Sequence, residues 1–508
     1  MTLTVVHIVG ILFTVGLLVA IGVLSGRKVK DARSFAVGGK AGSWMVCGII
    51  MGTLVGGQST IGTAQMAFCY GLSAWWFTIG AALGAAVLGL VYVVPLRRSG
   101  CVTLAEIVAR EYGHKAETIG TLLCMAGIFI SIVSQVLASS AMLTTLFRMP
   151  TLWGSVLSVL LIVIFIFFGG IRSAGLGGIL KVVLLYVASI TSAVVVFGLA
   201  GGIDGVWRDL TLLFQQPQVA ESNNIVDACG LHDRYGNIVG RGLLKDVGSG
   251  LSLMLGVLAT QTYAQGIWAA RGYRQARRGA LLSALLVPVI GAACTLVGLY
   301  MRGHYITADE QAAILAAGES VPEGVKVIAN TAEVFPRFIL DCCPPWIGGI
   351  VIGTLFVTVL GGGSGLTLGA VTILVHNVVN NIRRPNGKGW GEASRLYRAG
   401  IVIIATTALA VSLASHRTLI NDLGFLSLGL RATALLLPIT TALFMPHRLG
   451  YRAVITAMIA GTLMMMAAWV LKMPSDPIFY GIGAEIIIAA GDIMMKKNTS
   501  NIICKSKK

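Results

Sequence analysis

The chain has 508 residues, of which 56% are hydrophobic and only 12% charged, with a mean hydropathy of +0.84. Soluble proteins carry about 25% charged residues, so this composition excludes a large soluble enzyme or a pair of soluble domains. The formal net charge of +17 would suggest a nucleic-acid partner, but its placement along the chain argues otherwise.

Thirteen apolar spans are predicted, at 4–25, 43–70, 74–95, 118–146, 151–169, 173–200, 248–268, 279–301, 346–378, 399–415, 419–444, 453–471 and 477–494. Each is about 20 residues or longer, as a bilayer requires. The first lacks a basic leader and a small-residue cleavage site and reads as a retained span rather than a signal peptide. Apart from Lys181 and Arg431, which fall inside spans, 26 lysines and arginines lie in loops on one side and ten on the other. Basic loops stay in the cytoplasm. The N-terminus is therefore expected outside, the C-terminus inside, and the chain in the cell (cytoplasmic) membrane. The positive charge is a topology signal, so the expected partners are the lipid bilayer and a small-molecule solute, without nucleic acid; a monomer is compatible with this.

The second span carries the clearest interruption. Within 48–62, Gly56, Gly57, Gln58, Ser59 and Thr60 stand where the middle of a membrane helix should be. Unpaired backbone is not tolerated against hydrocarbon. A glycine break followed by three polar side chains must face protein, water or a ligand, and broken helices at mid-membrane are how many secondary transporters build binding sites. The alternative for Ser59 and Thr60 is a bond back to their own helix carbonyls.

Further polar groups follow in order, and each needs a reason because polar residues inside a membrane are expensive. In 118–146, Ser131, Gln135 and Ser139 form one stripe at helical spacing, for interhelical bonding or for a ligand. In 173–200, Lys181 either snorkels to the interface or is a buried cation that replaces a bound ion or carries a proton, since burial disfavours a charged amine. In 248–268, the run Thr260, Gln261, Thr262, Tyr263, Ala264, Gln265 either caps the inner end of its own span or faces a solute. In 346–378, Gly361, Gly362, Gly363 and Gly365 surround Ser364, which suits a close helix crossing or a backbone-lined site. Arg431 in 419–444 either pairs an anionic substrate or bonds carbonyls.

Two polar loops, 201–247 and 302–345, interrupt the spans, and a short surface helix is expected over 309–317, from Asp309-Glu310 to Ala317. The nine cysteines are scattered, and no Cys/His spacing suggests zinc or haem. No phosphate loop or catalytic triad is present in the sequence, so neither an enzyme nor a cofactor is expected.

Several stretches together resemble the sodium/solute symporter family, which has the LeuT-type inverted-repeat fold. The run Asp31-Ala32-Arg33-Ser34-Phe35-Ala36-Val37-Gly38-Gly39-Lys40 is similar to the family's loop into its second helix. Gly62 and Gly71 match the glycine spacing of that broken helix, and Gln265, Ala269, Ala270, Arg274 and Ala276 resemble the pattern after the seventh. The stretch 356–377 resembles the ninth helix, with His376-Asn377 where the family often has an acidic residue. The resemblance implies an all-α integral membrane protein, one polytopic domain over 1–508, with about thirteen transmembrane helices. A 5+5 inverted-repeat core at about 43–444 would be flanked by 4–25, 453–471 and 477–494. The implied activity is secondary transport of a small polar organic solute by alternating access.

Carried over residue by residue, the family's sodium site falls on the carbonyls of Gly52, Val55 and Thr358 and on two hydroxyl positions that are here Gly361 and Gly362. Its nearby acid falls on Gly178 and its glutamine on Lys181. The implied ion site has thus lost its side-chain oxygens and gained a cation, so coupling to protons, or none, is expected. The substrate positions fall on Gly56, Gly57, Gln58, Ser59 and Thr60, with Gln135 and Gln261 across from them. The competing readings are an ordinary sodium-coupled symporter and a membrane sensor with a transporter fold; the short tail after Asp492 is expected to leave no room for an output domain.

Overall fold

The computed structural model describes residues 3–26, 41–101, 103–169, 176–223, 225, 227–373 and 390–505. The motifs at 31–40 and at His376-Asn377 lie outside them. The described chain is almost entirely helical, as it must be where the backbone has only itself to bond to. Its long helices are α1 (Val5–Gly26), α2 (Ser43–Leu54), α3 (Thr63–Tyr70), α4 (Trp76–Val87), α5 (Leu104–Tyr112), α6 (His114–Phe147), α7 (Thr151–Gly169) and α8 (Leu176–Ala200). There follow α9 (Leu243–Leu258), α10 (Gln261–Ala269), α11 (Tyr273–Arg302), α12 (Pro345–Ile373), α13 (Trp390–Ala414), α14 (Ile420–Phe444), α15 (Tyr451–Val470) and α16 (Pro477–Lys505).

Glycines along α11 reveal how the first passes run. A methyl at Gly279 would meet Val46 of α2, and one at Gly298 would meet Ala67 of α3. A methyl at Gly291 would meet Thr78 of α4, and Gly89 beyond α4 lies against Ala280. The chain therefore climbs α11 from α2 to α3 and returns along α4. The helical backbone is continuous over Gln58–Arg98, yet it holds the end of one pass and the whole of the next. The reversal sits at Gly71, whose φ of +62° only glycine adopts freely. This agrees with separate spans at 43–70 and 74–95.

By length and composition, eight described helices could cross a membrane, or nine if α9 and α10, bent by 48° at their junction, form one span. The expected thirteen exceeds that figure in part because α2 is too short alone, its span being broken, and because 58–98, taken together, holds two passes that turn back at Gly71. α1, α7 and α13 are 22, 19 and 25 residues long.

Two helices are interrupted: α2–α3 near residues 55–57 and α9–α10 near 259–260. Their ends meet, since Ala41 N–H donates to Ala269 O (3.0 Å) and Arg271 N–H to Ala41 O (2.9 Å). The first interrupted helix starts where the second finishes, so they run in opposite directions. Five passes from α2–α3 to α8 and five from α9–α10 to α14 make an inverted pair of repeats, each opening on a broken helix. Arg97, which donates to Ile267 O (3.0 Å) and Ala270 O (2.8 Å), gathers this basic end of the molecule.

The opposite end is covered by the two polar loops. The surface helix forms over Ala308–Ala316, within one residue of its expected bounds, where Thr307 and Glu310 close a capping box. Glu310 also takes two bonds from the buried Arg302 guanidinium (3.0 and 2.6 Å) and one from Asn223 Nδ2 (2.6 Å). Burial alone would raise its carboxyl, but Arg302, the Thr307 N–H and Asn223 outweigh this and hold it below the ordinary value. The stabilisation is therefore complete above the ordinary carboxylate range and is lost as pH falls below it. Removing one partner of a buried ion pair costs about 3–5 kcal/mol. Glu310→Ala is expected to lower the melting temperature of the purified protein markedly, and Glu310→Asp to lower it less.

Candidate substrate and ion site

The break begins where α2 runs out of helical residues. Val55 turns extended (φ −90°, ψ 107°), and Gly56 and Gly57 follow. The helix resumes as one π turn over Gln58–Gly62, closed by Gly62 N–H to Gly57 O at 2.9 Å. Such wide turns recur at functional sites.

The groups freed by the break find local partners. Ser59 Oγ accepts the Gly56 N–H (2.9 Å) and donates to Gly56 O (3.1 Å), and Thr60 Oγ1 donates to the same carbonyl (3.0 Å). Of the two roles open to these hydroxyls in the sequence, the structure shows the bond to their own turn. Gln58 reaches out instead, its Nε2 donating to Ser134 Oγ on α6. Gly57 N–H donates to Gln135 Oε1 at 3.2 Å.

Gln135 is the hub. A methyl at Gly56 would lie 2.7 Å from its Nε2, one at Gly57 2.9 Å from its Oε1, and one at Gly362 3.3 Å from its Nε2. The glycines of the break and of α12 are the room its amide occupies. Replacing it by leucine would leave the Gly57 N–H unpaired, a loss of about 1–3 kcal/mol for a buried donor. Gln135→Leu is expected to lower the melting temperature and Gln135→Glu, which keeps the acceptor, to lower it less.

Lys181 on α8 does not run to an interface: its Nζ donates to Gly52 O at 2.7 Å, in the last turn of α2 before the break. Thr358 on α12 is fully buried, and its Oγ1 has no hydrogen-bond partner among the described residues. Gly361 and Gly362 offer backbone alone, and Ser364 Oγ is used on Gly361 O (3.1 Å).

Gln261 is placed differently from its neighbours in this group. It starts α10, and its Oε1 accepts the Leu104 N–H at 2.8 Å, capping α5. The helix it caps is not its own: the 260–265 run is expected to cap the end of its own span or to face a solute, and this side chain meets α5 instead.

Three residues of the site were not singled out from sequence. Ser134 receives Gln58. Asn421 on α14 donates to Thr63 Oγ1 (3.3 Å), leaves Oδ1 without a partner among the described residues, and stands where a methyl at Gly62 would be, 2.3 Å from that oxygen. Gln65 bridges its Oε1 to Ile420 N–H (3.0 Å) and its Nε2 to Thr331 Oγ1 (3.0 Å), closing the site toward the polar loops. Arg241 adds a second tie there, to Asp246 (2.7 Å) and Asp422 (2.9 Å). The signal available in sequence was polarity at a span end, for Asn421 and Gln65.

Opposed broken helices, opening two inverted five-helix repeats around a polar centre, define a LeuT-type secondary transporter. The fold is shared with a Na+-coupled sialic acid symporter solved in a substrate-bound outward-open state, at a TM-score of 0.71 and 14% identity over 97% of this chain and 98% of that one. Mhp1, a nucleobase-cation-symport-1 family transporter, matches at a TM-score of 0.50 and 11% identity, over 91% and 94%.

The profile of the Sodium:solute symporter family matches residues 35–461, and the chain belongs to that family. It is a multi-pass membrane transporter and not an enzyme. A curated relative, Uncharacterized symporter YwcA of Bacillus subtilis (strain 168), is 22% identical over 414 residues, 80% of this chain and 74% of that protein. High affinity choline transporter 1 of Homo sapiens is 21% identical over 397 residues, 77% of this chain and 63% of that protein.

Proposed function

We propose that this transporter moves a small polar organic solute across the cytoplasmic membrane without sodium, the Lys181 ammonium standing where a sodium ion would sit. The observation that carries this reading is the 2.7 Å bond from Lys181 Nζ to Gly52 O, one of the carbonyls onto which the family's sodium site falls. A hard cation wants several oxygen ligands at once. Gly361 and Gly362 supply no hydroxyl, Gly178 no carboxylate, and a fixed ammonium repels a second cation by Coulomb's law. Coupling then runs on protons or is absent, leaving the solute gradient as the driving force.

The solute would bind beside Gly56 and Gly57, between the break, Gln135 and the glycine run of α12. The end carrying Arg97 would face the cytoplasm, and the ties of Gln65 and Arg241 would open to admit solute from the other side. The first test is a solute screen by thermal stabilisation of the purified protein, repeated in sodium and in potassium salts. The expected hits stabilise equally in both, whereas hits that need sodium would favour an ordinary sodium symporter.

A further inference from the structure

The α6–α14 crossing holds a buried cation with no carboxylate partner among the described residues. Arg431 on α14 is 3% exposed. Its Nη2 donates to Ser131 Oγ (2.7 Å) and Ser427 Oγ (3.1 Å), and Ser427 Oγ in turn donates to Gly127 O (2.6 Å). Of the five N–H donors of a guanidinium, the one on Nε is unpaired and the two on Nη1 take part in neither bond, among the described residues.

The fully buried carboxylates among the described residues are Asp246, Asp476 and Glu485. Asp246 pairs with Arg241, Asp476 takes bonds from Ser249 and Ser252, and Glu485 packs against Gly461. None forms an ion pair with Arg431. A guanidinium stays protonated under all ordinary conditions, and an uncompensated charge at membrane depth is costly enough to mark a function. Two serine hydroxyls are modest compensation, and a carboxylate takes guanidinium donors two at a time.

The charge is also wired to the break. Ser131, which accepts from Arg431, lends its own carbonyl to Ser134 Oγ (2.8 Å), and Ser134 Oγ receives Gln58 Nε2. Three hydrogen bonds, through Ser131 and Ser134, thus link Arg431 to Gln58 of the interrupted helix. With Lys181 on the other side of that break, the polar centre carries two cations.

We propose that Arg431 binds the carboxylate of the transported solute, which makes the substrate class an organic anion or a zwitterion rather than a quaternary amine. This rests on the transporter reading above and adds the sign of the solute. The geometry predicts recognition by charge-assisted, paired bonds, the strongest a neutral amide could not reproduce.

The test compares, on the full purified chain, thermal stabilisation by acetate, lactate, pyruvate, succinate, L-proline and L-glutamate with that by lactamide, pyruvamide, prolinamide and choline. At least one carboxylate is expected to stabilise, and its amide to bind about tenfold or more weaker, as loss of a charge-assisted bond implies. Arg431→Gln is expected to erase the preference, and Arg431→Lys, which keeps the charge without the fork, to retain part of it; if the glutamine variant does not fold, the carboxylate-to-amide comparison in the unaltered protein decides. Equal stabilisation by amides or choline, no stabilisation by any carboxylate, or a preference that survives Arg431→Gln in folded protein overturns the proposal. Proteoliposome uptake separates the two readings: saturable uptake of choline or an amide keeps the transporter and removes the anion site, while carboxylate binding with no uptake does the reverse.

Discussion

Gly57→Val is expected to abolish transport while leaving an assembled membrane protein. A methyl at this position already meets Ala138 Cβ at 2.7 Å, Gln135 Oε1 at 2.9 Å and Val359 Cγ2 at 3.1 Å. Two helices, α6 (Gln135, Ala138) and α12 (Val359), supply those atoms from three side chains, so the new branch cannot be relieved by turning one of them. Forcing extra atoms into packed interior costs about 1–3 kcal/mol. That is affordable for a large bundle, but here it is concentrated on the amide that satisfies the break. The Gln135 bond to Gly57 N–H would be lost, and with it the alignment of the π turn that carries Gln58. Gly57→Ala is expected to be the milder variant, with uptake reduced about tenfold or more, since each 1.4 kcal/mol is a factor of ten in an equilibrium. Size-exclusion elution in detergent checks assembly, and uptake into proteoliposomes checks function. Normal uptake by Gly57→Val would show that the solute path does not run beside the break.

The second large effect is a gain. Lys181→Gln combined with Gly361→Ser and Gly362→Ser removes the competing ammonium and returns hydroxyls to the two α12 positions. The variant is expected to be stabilised by sodium over potassium, and the unaltered protein not to be. A ligand present at 100 times its dissociation constant adds about 2.7 kcal/mol, which is readily visible in a thermal melt. Room for the new side chain at Gly362 is tight but yielding, because its Cβ would stand 3.3 Å from the end of Gln135. Lys181→Met alone is expected to lose uptake without gaining sodium stabilisation, since Gly52 O would lose its ammonium and nothing would replace it. Sodium stabilisation of the unaltered protein would contradict this account of the glycines.

How much of this was legible in the sequence follows from what each feature depends on. The break over 55–60 was legible because glycines and hydroxyls inside an apolar run are a local contradiction, and only a handful of structures resolve it. The reversal at Gly71 was legible for a similar reason, although the backbone over Gln58–Arg98 is continuous enough to pass for one helix. The second break, near 259–260, was masked because Ala259 and Thr260 are unremarkable residues; its signal was the polar run that follows. The contact between Lys181 and Gly52 came within reach through family resemblance and not from periodicity, which says which face a lysine occupies but not what it meets 129 positions away.

Partner choice across long separations was the part that stayed hidden. Ser134 is one of several serines on α6, and nothing local distinguishes the one that receives Gln58. Gln261 shows the same limit from the other side: its place in a polar run suggested a ligand as readily as a cap, and the tertiary fold brings the start of α5 to it. Arg241, in a polar loop, gathers Asp246 and Asp422 from two different helices, an arrangement that only the assembled bundle defines.

The most direct measurement of the central claim is uptake, into proteoliposomes of the unaltered protein, of a solute found by the thermal screen. Internal and external pH are held equal and sodium or potassium is the only external cation. The same initial rate is expected in both salts, together with loss of that rate in Lys181→Met. A rate that rises with external sodium and saturates would contradict it, and would place an ion where the lysine has been put.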